Sequence, residues 1–247
     1  NLGKSERIKV LIDKVKAFID NEIILLEGEY FKEVGSTGNR WEYSPRMTEI
    51  MEGLKDKAKA RGLWNFFLTD SDKGFGLSTV EYAYLAEEMG HSHLAPEVFN
   101  CAAPDTGNME VLERFCNEDQ KERWLKPLLN GEIRSAYVMT EPGEASSDAT
   151  NISMPAILEG DEWVMTGEKY FASGAGDPRC KIMIVMVKTN PDASRHAQHS
   201  QILVPMETEG VEILRPMHVF GNDDAPHGHM HIKFDRVRVP KENMILG

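Results

Sequence analysis

Three histidines and two aspartates crowd the stretch GNDDAPHGHMHIKF, Gly221–Phe234. Imidazoles and carboxylates at that density are the side chains that bind transition metals or move protons. His229 and His231 stand two apart in an alternating segment. Both therefore fall on one face of a strand, a spacing compatible with a shared metal. His227 precedes them beyond Gly228, where the chain turns. A second candidate is quieter. Tyr137-Val138-Met139-Thr140-Glu141-Pro142-Gly143-Glu144-Ala145-Ser146-Ser147-Asp148 reads as a strand leaving into a loop of small and hydroxyl residues. Such a loop exposes backbone N–H groups and hydroxyls together, which suits a flat, polar ligand such as a flavin or a phosphate ester. On residue types alone, a serine-rich turn is the simpler reading of the loop.

These residues must be positioned by two different kinds of structure. Ile8, Leu11, Ile12, Val15, Phe18, Ile19, Ile23 and Leu26 recur at helical spacing. Ser44-Pro45 is an N-cap with proline at the first helical position, and Gly62 is a C-terminal stop. Ser78 with Glu81, and Asn117 with Gln120, have capping-box spacing. Gly90 should end the first of those helices, Asn108 should cap a helix from Met109, and Pro127 should bend or end the last one. After about Arg134 the apolar period switches to two. Met154–Leu158 and Trp163–Thr166 read as strands joined at Glu159-Gly160-Asp161. Tyr170–Ala172, Ile182–Val187, Gln201–Val204 and His229–Phe234 continue the pattern, with Asn190–Gln201 as a polar loop. The connections are too short for crossover helices. The expectation is an α+β chain: an all-helical domain over 1–134, then a small, mostly antiparallel β-barrel or sandwich over 135–247.

The 247 residues carry a formal net charge of −12, which argues against nucleic acid as the main partner. No apolar run reaches the ~18–20 residues needed to span a bilayer. Cys101, Cys116 and Cys180 form no CxxC, so a disulfide framework is not expected. There is no GxGxxG behind a strand and no Walker-type GxxxxGK, GxSxG elbow or HExxH.

The loop segment resembles the signature of the acyl-CoA dehydrogenase family, a Tyr-x-x-Thr-Glu-Pro-Gly-x-Gly-Ser-Asp run at the start of its β domain. Two further markers follow in order. Gly167-Glu168-Lys169-Tyr170-Phe171-Ala172-Ser173-Gly174 is similar to the family's Gly-x-Lys-x-Trp-Ile-Thr-Asn strand. Phe234-Asp235-Arg236-Val237-Arg238-Val239-Pro240-Lys241-Glu242-Asn243 is similar to its Phe-x-x-Val-x-Val-Pro-x-x-Asn exit. The wording SSDATNI, SGAG, RHAQHS and DDAPHGH resembles the long-chain subgroup whose animal members are fused to a kinase-like domain.

The resemblance implies an FAD-dependent oxidoreductase of fatty acid metabolism (β-oxidation) that converts acyl-CoA to trans-2-enoyl-CoA. A carboxylate takes the α-proton while the β-hydride passes to flavin N5. Hydrogen bonds to the thioester carbonyl hold the developing enolate, because a thioester α-proton is otherwise too weakly acidic. By this resemblance Tyr137, Met139 and Thr140 line or bond the flavin, and Ser146 and Ser147 end the loop. Ser147, directly before Asp148, faces the CoA. Phe171 stands for the family's tryptophan and Ser173 for its ring-bonding threonine, with Ala172 between them. Without the resemblance, core packing is the better reading of Tyr137 and Phe171. The loop is one residue longer than the family's, which leaves the register of Ser146 against Ser147 open.

The family continues with a four-helix bundle of about 150 residues, which supplies the carboxylate, part of the CoA site and oligomer contacts. No residue here is therefore assigned as the base. Glu141 is read as structural, and the chain by itself is expected to be inactive. The resemblance further implies an electron-transfer flavoprotein as acceptor and a dimer or tetramer. Location would be cytoplasmic in a bacterium, mitochondrial or peroxisomal in a eukaryote. The alternatives are an acyl-CoA oxidase or nitroalkane oxidase, a non-catalytic flavin- or acyl-CoA-binding fragment, and a metal protein built on the histidines. The family needs no metal, so His227, His229 and His231 are expected to pack or hydrogen-bond rather than ligate.

Overall fold

A computed structural model describes residues 3–69 and 73–246. The chain divides into two compact units, residues 1–106 and 107–247.

The first unit is helical: α1 (Glu6–Phe18), α2 (Ile24–Lys32), α3 (Pro45–Ala60), α4 (Thr79–Met89) and the short α5 (Ala95–Val98). A π-helical turn, Ile19–Ile23, carries the apolar stripe of α1 into α2. Ile8, Val15, Phe18, Leu54, Leu85 and Phe99 are buried, and Phe18 meets Phe99 edge-on at 5.4 Å. Each such side chain withdrawn from water contributes about 1.5–3 kcal/mol. The caps lie where the sequence places them. Ser44 accepts from the Met47 amide, Ser78 and Glu81 complete their capping box, and Gly62 takes a left-handed φ of 68°. Among the described residues no helix is long and apolar enough to cross a membrane.

α6 (Asp105–Phe115) lies mostly in the second unit and is followed by α7 (Glu118–Gln120), a π-helical turn over Lys121–Leu125, and α8 (Lys126–Leu129). The Asn117–Gln120 capping box forms, and Pro127 falls at the start of α8, immediately after the π-helical turn. Asn108 does not cap a helix: α6 starts earlier, and the buried Asn108 amide donates to Ser135 Oγ at 2.9 Å.

Among the described residues seven strands follow: β1 (Arg134–Val138), β2 (Ala156–Glu159), β3 (Glu162–Ser173), β4 (Cys180–Lys188), β5 (His199–Pro205), β6 (Val211–Pro216) and β7 (His229–Pro240). They form two sheets, β1-β4-β5 and β2-β3-β7-β6, and neither closes into a barrel. Every pairing is antiparallel except β1 with β4, which is parallel. Three expectations are corrected. Trp163–Thr166 and Tyr170–Ala172 are one strand, interrupted by register shifts between Met165 and Gly167 and between Lys169 and Ala172. β5 takes in the end of the supposed polar loop, from His199. β6 was not expected, because its residues are mostly exposed and show no alternation.

Gly167 marks the first shift in β3. It has φ 156°, and a Cβ there would stand 2.8 Å from Met154 Cγ, in the buried layer under β3. Gly167→Ala should therefore destabilise the second unit by about 1–3 kcal/mol. Urea unfolding followed by tryptophan fluorescence measures the loss, and an unchanged midpoint would show that Met154 yields.

Candidate functional site

The site is built where the end of β1 meets the second irregularity of β3. The Tyr170 amide donates to the Thr140 carbonyl at 2.9 Å, and Thr140 Oγ1 donates to the Tyr170 carbonyl at 2.7 Å. These two bonds lock the loop entrance to the strand although the two segments belong to different sheets. Beside them Phe171 takes a left-handed φ of 54°, strained for a bulky side chain, with 42% of the residue exposed. Phe171 is therefore not a core residue, against the reading from residue types alone. Tyr137, Met139, Thr140 and Ser173 are half-buried, and Ala172 is buried. Burial pushes the Tyr137 hydroxyl's pKa up, and its neighbour there is the Met186 sulfur at 3.8 Å.

Underneath lies an ion pair that sequence reasoning missed. Lys169, from the middle of β3, is wholly buried. Its ammonium donates to Glu141 Oε1 at 2.9 Å, the Met139 carbonyl at 2.7 Å and the Met186 carbonyl at 2.6 Å. All three donors are thereby used. Glu141 accepts in addition from the Met154 amide and from both the amide and hydroxyl of Ser153, all within 2.9 Å. Burial pushes the Glu141 carboxyl up, but Lys169 and the Ser153 and Met154 amides outweigh it and hold the group below its ordinary value. The signal available in the sequence was a lysine interrupting an apolar strand and a glutamate in a loop of small residues.

The loop's serines separate. Ser146 is buried, accepts from the Glu141 amide at 2.7 Å and lies 3.2 Å from the Glu144 carbonyl, so its hydroxyl closes the loop internally. Ser147 is exposed. The histidines separate too. His231 pairs with Glu168 at 2.8 Å, and His229 lies between Ser173 and Asp224, 2.7 Å from each. The His227 ring meets that of His229 edge-on at 6.3 Å. Among the described residues no three His, Cys, Asp or Glu side chains are arranged to hold a metal. A groove of about 470 Å³, lined by Phe115, Leu158, Trp163 and Met244 among others, includes none of the eight predicted cofactor-binding residues. Of those eight, Thr140 lies beside the exposed Phe171 ring through its bonds to Tyr170, and Ser173 follows two residues on; a hydroxyl beside a flat ring suits a flat ligand edged with heteroatoms.

Profiles of the acyl-CoA dehydrogenase N-terminal and middle domains match residues 5–132 and 136–237. The chain belongs to the acyl-CoA dehydrogenase family. Mouse acyl-CoA dehydrogenase family member 10 is 50% identical over 99% of this chain and 23% of its own length. "Probable acyl-CoA dehydrogenase FadE2" of Mycobacterium tuberculosis is 55% identical over 79% of this chain and 47% of its own. A solved Mycobacterium abscessus structure assigned to the same family superposes with a TM-score of 0.92 at 48% identity, covering 99% of this chain and 61% of that one. The glutaryl-CoA dehydrogenase of Mycobacterium smegmatis, solved in complex with FADH2, shares the fold at 18% identity, over 98% of this chain and 55% of that one, with a TM-score of 0.71. This chain thus spans 23% of one of those two curated relatives and 47% of the other.

In this member of the acyl-CoA dehydrogenase family, the stability that Glu141 contributes is complete above the unfolded carboxylate range. It is lost as the pH falls through the group's lower native value. Lys169→Met and Glu141→Gln should each cost about 3–5 kcal/mol at neutral pH, because each leaves a buried partner uncompensated. The double variant should cost less than the sum. Glu141→Gln should also flatten the acid limb. Denaturant unfolding between pH 3 and 7 reads all three, and strictly additive losses would deny the coupling.

Proposed function

We propose that residues 1–247 form the flavin- and acyl-CoA-binding part of a protein that oxidises an acyl-CoA thioester to its trans-2-enoyl form. The observation that carries this reading is the shared edge at β1 and β3, where the Thr140–Tyr170 hydrogen bonds set Thr140 beside Phe171. A flavin ring matches that edge in chemistry. A flat aromatic face would rest against Phe171, and hydroxyl oxygens would meet its heteroatom edge. Tyr137, on β1, and Met139, just past its end, extend the surface. Thr140 commits its proton to the Tyr170 carbonyl and so offers the ligand an acceptor. Ser147, exposed at the loop's end, is the contact for the CoA side, while Ser146 and Ala172 support the edge from within.

When bound, the flavin would take the substrate's β-hydride as the α-proton leaves to a carboxylate. Glu141 is not that carboxylate, since its oxygens are held by Lys169, Ser153 and Met154. No proton acceptor is assigned within residues 1–247. Residues 1–247 alone would bind flavin without completing the oxidation. The relatives' names support the acyl-CoA class, and the FADH2 bound by the glutaryl-CoA dehydrogenase supports the cofactor. An electron-transfer flavoprotein as acceptor and a homo-oligomeric assembly belong to the same proposal.

Anaerobic mixing of the flavin-bearing full-length protein with saturated acyl-CoAs should bleach the flavin absorbance. Added electron-transfer flavoprotein should then restore it faster than oxygen does. A flavin that no acyl-CoA bleaches would overturn the reading. Thr140→Ala should weaken flavin binding about tenfold, the loss of one buried hydrogen bond.

A further inference from the structure

Ser173 and His229 are directly opposed across the antiparallel β3–β7 pair. Ser173 Oγ lies 2.7 Å from His229 Nδ1, and His229 Nε2 lies 2.7 Å from Asp224 Oδ2. The loop bearing Asp224 is tied to the end of β3 by the Gly174 amide, which donates to the Gly228 carbonyl at 2.9 Å. Asp224 itself has a left-handed φ of 51°. Its other oxygen accepts from the Asn222 amide group at 2.6 Å, and its carbonyl accepts from the Gly228 amide. Ser173, His229 and Asp224 thus form a connected line from an exposed carboxylate to a half-buried hydroxyl at the candidate edge.

For the neutral imidazole, simple donor and acceptor rules fix the direction of this line. An ionised carboxylate only accepts, so the neutral imidazole carries its proton on Nε2. Nδ1 is then a lone pair, and the Ser173 O–H must donate to it. Ser173 Oγ is left with lone pairs alone for anything bound at the edge. Two-electron reduction of a flavin converts ring N5 from an acceptor to an N–H donor. A serine held as an acceptor at N5 would therefore suit the reduced ring and would meet only a lone pair there in the oxidised one.

Resting on the flavin reading above, we infer that Asp224 and His229 are positioning residues that lock the Ser173 hydroxyl as an acceptor toward the flavin and so raise the flavin's reduction potential. Asn at 224 can donate to Nε2 and reverse the histidine tautomer. Ser173 would then receive a proton from Nδ1 and turn its own toward the ring. The sign separates this from simple electrostatics: loss of a nearby negative charge would raise the potential, whereas loss of the lock lowers it.

The test is the flavin midpoint potential of the full-length flavin-bearing protein, measured spectroscopically against reference dyes. Asp224→Asn, His229→Gln and Ser173→Ala should each shift the reduced-to-oxidised affinity ratio about tenfold toward the oxidised form. For a two-electron couple that is a fall of about 30 mV. Ser173→Thr, which keeps the hydroxyl, should retain the wild-type value. An unmoved or raised potential in Asp224→Asn, with flavin still bound, overturns this inference alone. A protein that neither purifies with flavin nor takes it up overturns the cofactor reading and this inference with it.

Discussion

The second unit is organised around one buried ammonium. Lys169 reaches from β3, in one sheet, to carbonyls at the end of β1 and on β4, in the other, and to the Glu141 carboxylate. Two unpaired charges in such a place would cost several kcal/mol each, so the arrangement persists only because every donor and acceptor is matched. The match has a geometric consequence. Met139 and Glu141 flank Thr140, and both are held by the same nitrogen. The residue between them is thereby fixed against Tyr170, and the loop to Ser146 is closed from Glu141. The strained Phe171 follows two residues beyond Lys169 on the same strand.

Local chemistry was readable in the sequence and long-range register was not. The caps at Ser44, Ser78 and Asn117 depend on residues three positions apart, and all three form. Asn108 has the right residue type but lies inside a helix that begins earlier, where tertiary hydrogen bonding to Ser135 takes its amide. β3 looked like two strands because Gly167 and the irregularity before Ala172 break its alternation. The parallel pairing of β1 with β4 left no periodic trace, since each strand reads the same in either direction.

The candidate site divides along the same line. Tyr137–Ser147 and Gly167–Gly174 were legible as two motifs, but nothing in their residue types says that Thr140 and Tyr170 exchange two hydrogen bonds. The histidine cluster, the most conspicuous chemistry in the chain, contributes through one member. His229 reaches the edge because it faces Ser173 across the sheet, whereas His231 turns to Glu168. A sequence shows that imidazoles and carboxylates are near one another along the chain. Only strand register shows which serine they address.

The buried Lys169 pair should set the edge proposed for the flavin, and flavin affinity tests this directly. FAD would be titrated into flavin-free wild-type protein and into Lys169→Met, under conditions where circular dichroism shows both folded. Wild-type protein should bind FAD, and Lys169→Met should bind it at least about tenfold more weakly, since the loop loses its anchor. Equal affinity in the two proteins would contradict the account.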